Sequence, residues 1–121
     1  MYAGVDSWIV DSGVGDHAVP QDDTKNVIKL YPVLHLEKTM TANGNVQNTH
    51  RAKVYVESLG ITVDAKVQGG DCPRLLSNGK LAREHGFTII TSPDNDGNTT
   101  ITNDYEVHHC VEAQGVPTIG L

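Results

Sequence analysis

Cysteine is scarce: Cys72 and Cys110 are the only two in 121 residues. Two thiols cannot build a disulfide framework, so the fold has to rest on a core of its own, and a chain this long can bury one. Reduced thiols in a cytoplasmic setting are the expectation that follows. Aromatic residues are as thin, at 5% with one Trp and one Phe, which makes the core lean. Basic residues are outnumbered, nine Lys and Arg against fifteen Asp and Glu, for a net charge of -6. Such a surface is repelled by phosphate backbones, which argues against nucleic acid as a direct ligand. No apolar run is long enough to span a bilayer, and the N-terminus lacks the basic, apolar and small-residue succession of a signal peptide. Asn98-Thr99-Thr100 matches the glycosylation pattern, but nothing else reads as secreted.

Glycine, by contrast, is plentiful, at twelve residues. Together with Asn-Gly and Asp-Gly pairs it predicts many tight turns, hence a strand-rich fold in a single domain over 1–121. Trp8-Ile9-Val10 reads as a buried strand. Val27 to Leu36 is strand-like, but Pro32 argues against a central place in a sheet. Asn43-Gly44 gives the strongest hairpin signal, a tight turn with positive backbone angles. Ala52, Val54 and Val56 alternate with polar residues, and Ile61, Val63, Ala65 and Val67 do the same after a turn at Ser58-Leu59-Gly60, which predicts an antiparallel pair with one buried face. Ser77 or Asn78 is placed to cap one short helix that Gly86 ends. Phe87 to Thr91 reads as a strand, and Thr99 to Val111, rich in β-branched residues, as a terminal hairpin. The expectation is an all-β domain with one short helix.

Asp11-Ser12-Gly13 stands where the apolar strand gives way to a turn. A lone carboxylate buried at such a place costs several kcal/mol, on the order of the desolvation of one ion, so it either turns to solvent or has a task. The plain reading is an ordinary turn aspartate. The order of the surrounding features points further. Trp8 precedes the motif and His17 follows its glycine by four residues; Thr41-Ala42-Asn43-Gly44 comes later, then Leu75-Leu76-Ser77, Lys80-Leu81 and Gly86. In this the chain resembles the retropepsin-like aspartic proteases, and within them the protease region of copia-type retrotransposon polyproteins, from about Ser7 to Phe87. Serine at position 77 agrees with the copia-type pattern, whereas the viral enzymes carry glycine and then arginine where this chain has Ser77 and Asn78.

The resemblance implies a small closed, barrel-like β fold and a homodimeric aspartic endopeptidase that cleaves a polyprotein. Each copy supplies one catalytic Asp11. Ser12 and Gly13 support the active-site loop, Gly13 by offering its N–H to the carboxylates. Ala42, Asn43, Gly44 and Asn45 form the tip of a flap over bound peptide, and Leu75, Leu76, Ser77 and Asn78 line the substrate groove. Residues near Met1 to Val5 and part of Thr99 to Val111 contribute to the dimer. No cofactor is implied, and the spacings of the six histidines and two cysteines fit no zinc pattern. His17 is expected to pack behind the active-site loop rather than to move protons, and Trp8 to anchor the core. The rival reading is a catalytically silent dimeric β module that binds extended peptides or mediates assembly.

Overall fold

Period-two alternation decides which residues share a face. In the computed structural model, which describes residues 7–41, 44–69, 72–92 and 98–120 and only the backbone of 35–41 and 44–48, the alternating segments become strands. The elements are β1 (Trp8–Asp11), β2 (His17–Pro20), β3 (Val27–Thr41), β4 (Gly44–Val56), β5 (Ile61–Gln68), β6 (Leu75–Ser77), α1 (Asn78–His85), β7 (Thr88–Ser92), β8 (Asn98–Thr102), β9 (Val107–His109), β10 (Val111–Ala113) and β11 (Val116–Ile119). Ala52, Val54 and Val56 on β4 stand opposite Ala65, Val63 and Ile61 on β5. Gly60, at φ 67°, makes the turn between them, a conformation that glycine adopts without strain.

Eight strands form one sheet in the order β10-β11-β1-β6-β2-β5-β4-β3, and β7-β8-β9 form a second. Two neighbouring pairs, β1 with β6 and β2 with β5, run parallel. The fold is thus mostly β with one short helix. The large sheet is open rather than closed into a barrel: β10 and β3 are its two edges, and no pairing joins them among the described residues. The β3 edge explains part of this. Pro32 has no N–H to offer a further strand, and the register slips between Pro32 and Glu37.

The hairpin of β3 and β4 forms with Gly44 already paired to Thr41, so Gly44 belongs to the strand and not to the turn predicted at Asn43-Gly44. Ala42 and Asn43 lie outside the described residues, as do Met1 to Val5. The C-terminal stretch, with no obvious role in the sequence, supplies β11, which pairs with β1 through Trp8↔Ile119 and Ile9↔Thr118. Thr99 to Val111 spans β8, β9 and the first residue of β10. Among the described residues no helix is long and apolar enough to cross a membrane.

The core is aliphatic around one indole. Trp8, Val54, Val56, Leu76, Leu81 and Ile101 are fully buried in one cluster. Trp8 is a core anchor, as expected, and the Arg74 guanidinium lies over its ring at 4.9 Å. Asp23 holds that guanidinium at 2.7 Å, which compensates the charge where Arg74 is buried.

Candidate active site

β1 ends at Asp11, and the chain turns outward through Ser12 and Gly13, both exposed. The carboxylate is partly exposed, so the desolvation cost is avoided. Gly13 N–H donates to Asp11 Oδ1 at 2.7 Å. A Cβ at position 13 would sit 3.3 Å from that same oxygen, so glycine gives the backbone its close approach.

β6 lies parallel beside β1, with Asp11 in register with Ser77. Leu76 and Ser77 are fully buried, Leu76 in the core and Ser77 as a bracket, while Leu75 is half-buried. Ser77 Oγ donates to the Val14 carbonyl at 2.9 Å and accepts from Lys80 N–H at 3.3 Å, capping α1. Ser77 N–H donates to His17 Nδ1 at 3.0 Å. One residue therefore ties the helix start, the loop after Asp11 and the first residue of β2 together. Asn78 reaches the surface: with Asp11, Ser12, Thr91, Thr99 and Pro117 it lines a cleft of about 290 Å³. So Asp11, Ser12 and Asn78 share one opening, and Leu75, Leu76 and Ser77 are not among the residues that line it.

His17 is fully buried and its Nδ1 is committed as an acceptor, which puts the proton of the neutral ring on Nε2; that atom has no partner among the described residues. Burial first, then the Lys80 charge, lower its pKa from 6.5 to about 4. The neutral ring packs behind the loop that follows Asp11, held by the same Ser77 whose hydroxyl bonds to Val14.

A polar chain beside the loop was not singled out from the sequence. Arg51 on β4 donates from Nε to Asp64 Oδ1 at 2.6 Å and grips Asp16 with Nη1 at 2.8 Å and Nη2 at 3.1 Å. Lys80 on α1 meets Asp16 Oδ1 at 3.0 Å. Asp64 also takes Lys53 Nζ at 3.0 Å and the Tyr31 hydroxyl. Burial alone would raise the Asp64 pKa, but the hydrogen bonds from Tyr31, Arg51 and Lys53 overcome it and hold the group at about 2. Asp16 is likewise kept below the usual carboxylate range: its burial pushes the other way, and Arg51 and Lys80 outweigh it. The signal was present in the alternation, because Arg51 and Lys53 occupy the polar phase of β4, and Lys53 pairs with Asp64 on β5. That Asp16 would fold onto this face is a loop property and left no periodic trace.

The flap expectation rests on the β3–β4 hairpin. Gly44 and Asn45 open β4, paired to Thr41 and Met40, and the tip residues Ala42 and Asn43 are outside the described region. Among the described residues no three His, Cys, Asp or Glu side chains gather as a metal site. The chain matches no protein-family model, no curated protein and no solved structure.

Proposed function

We propose that this chain is one half of an aspartic endopeptidase of the retropepsin-like kind, acting as a homodimer on a retrotransposon-type polyprotein. The observation that carries the reading is Asp11 itself: a partly exposed carboxylate at a strand end, braced by the Gly13 N–H and opening on a cleft with Ser12 and Asn78. The motif occurs once in the sequence, and peptide hydrolysis by this route needs two carboxylates. A two-fold axis between two copies supplies the second Asp11.

Two carboxylates at close range share one proton and titrate as a unit. The ionised member takes a proton from a water held between them, and that water attacks the scissile carbonyl. The protonated member gives its proton to the carbonyl oxygen as the tetrahedral intermediate forms. The long β3–β4 hairpin serves as the lid, which excludes water and holds the peptide backbone as an added strand.

The experiment is cleavage of unfolded polypeptides from acid to neutral pH, at concentrations where the protein is dimeric. Wild type is expected to cut and to be blocked by a pepstatin-type inhibitor. Asp11→Asn is expected to lose cleavage by at least about a thousandfold while keeping its dimer, since a neutral amide cannot accept the proton. Absence of cleavage by a dimeric wild type leaves the silent peptide-binding module as the standing reading.

A further inference from the structure

The β3–β4 hairpin has an inner and an outer part. From Arg51 to Val54, β4 lies between β3 and β5 and is paired on both sides. From Gly44 to His50 it pairs, among the described residues, with β3 alone, as a two-stranded ribbon. A ribbon of that kind is marginally stable by itself, so its attitude depends on what holds its root.

The root is Arg51 and its register partner on β3, Tyr31; the irregularity between Pro32 and Glu37 follows directly outward. Arg51 points its fork in two directions at once. One N–H holds Asp64 on β5, which also receives the Tyr31 hydroxyl. The other two hold both oxygens of Asp16, in the segment that carries Asp11. The same carboxylate takes Lys80 from the helix that Ser77 caps, and Ser77 is in register with Asp11. The side chains of Arg51 and Lys80 are only 14% and 13% exposed, so these charges are weakly screened and depend on their partners. A planar fork with several fixed donors spans such a pair of carboxylates; a single ammonium does not.

We propose that Arg51 is a positioning residue: through Asp16 and Asp64 it fastens the root of the outer ribbon to the Asp11 loop, and so sets the ribbon's attitude. The lid role of the ribbon rests on the reading given under Proposed function; the mechanical fastening does not. Loosening it lets the ribbon sample more open attitudes, which weakens peptide binding more than it slows the chemistry.

The test is Arg51→Lys, which keeps the charge and loses the fork, read by millisecond amide hydrogen exchange. Exchange over 37–41 and 44–48 is expected to quicken at least about threefold, with 52–56 and 61–67 unchanged. Tyr31→Phe, which removes one hydroxyl from the edge of the network, is expected to act in the same direction and more weakly. With a cleaved peptide, KM of Arg51→Lys rises about fivefold or more while kcat stays within about twofold. Unchanged exchange in the ribbon overturns the proposal, and so does equal quickening across the whole sheet, which reports a general loss of stability. A wild type that cuts no peptide defeats the protease reading and leaves the exchange result to decide the fastening.

Discussion

At the scale of single residues, His17 shows how a buried group beside the Asp11 loop can govern stability. Its neutral form is fully buried, with Nδ1 accepting from Ser77 N–H. Protonating Nδ1 would break that bond and place a charge near Lys80, which agrees with the fall of its pKa from 6.5 to about 4. The unfolded chain therefore binds a proton that the folded chain refuses. Stability is complete above about pH 6.5, declines as the pH falls, and has lost the His17 contribution by about pH 4. A displacement of that size is worth roughly 3 kcal/mol. His85, also lowered by burial, acts in the same direction. The carboxylates Asp16, Asp23 and Asp64 are depressed too, so their contributions are lost only below the ordinary carboxylate range. The urea midpoint is expected to fall steadily between pH 7 and pH 4, and His17→Asn, whose amide oxygen can accept from Ser77, should flatten that slope. A slope that survives in the variant assigns the sensitivity elsewhere, to His85 first.

Single elements show how much of this molecule is written locally. Ser77 caps a helix, and Gly86, at φ 71° with its N–H on the Ala82 carbonyl, ends it. Both positions are readable, because caps depend on neighbours three or four residues away. The β4–β5 pair is readable for the same reason: alternation and a short turn specify it without reference to the rest of the chain. Pro32 correctly points to an edge. What alternation does not state is which strand lies beside which. The pairing of β1 with β11, and the parallel contacts β1–β6 and β2–β5, join segments far apart in sequence, and period two is silent on partners. The Arg51 chain is half legible: its strand residues fall on one polar face, while Asp16 arrives through a loop. Ser77 tests the local part. Ser77→Ala removes the helix cap and leaves the Val14 carbonyl without its hydroxyl donor. A loss of about 2 kcal/mol in urea unfolding is expected, from the cap and the lost hydrogen bond together. A loss below about 0.5 kcal/mol would mean that water replaces the bracket.

The whole molecule raises a question that no element answers. The eight-stranded sheet is open, and Asp11 sits at a strand end on a surface cleft, as one carboxylate of the two that the proposed reaction needs. If the second comes from another copy, activity must follow the dimer and not the chain. Mixing provides a sharper test than dilution, because dilution also invites surface loss and unfolding. Let wild type be held at a fixed, fully dimeric concentration, and let an equal amount of Asp11→Asn be added. Random exchange leaves half of the wild-type chains paired with the variant, so cleavage falls to about half of its starting rate once subunits have re-equilibrated. The approach to that level tracks subunit exchange and should slow on cooling. If each copy works alone, the added variant changes nothing, since it competes for peptide only weakly at low substrate occupancy. A rate that stays constant through complete exchange therefore removes the shared site, whatever the oligomeric state, because a mixed pair holding one ionisable Asp11 has no second carboxyl group to carry the proton that the scissile carbonyl must receive.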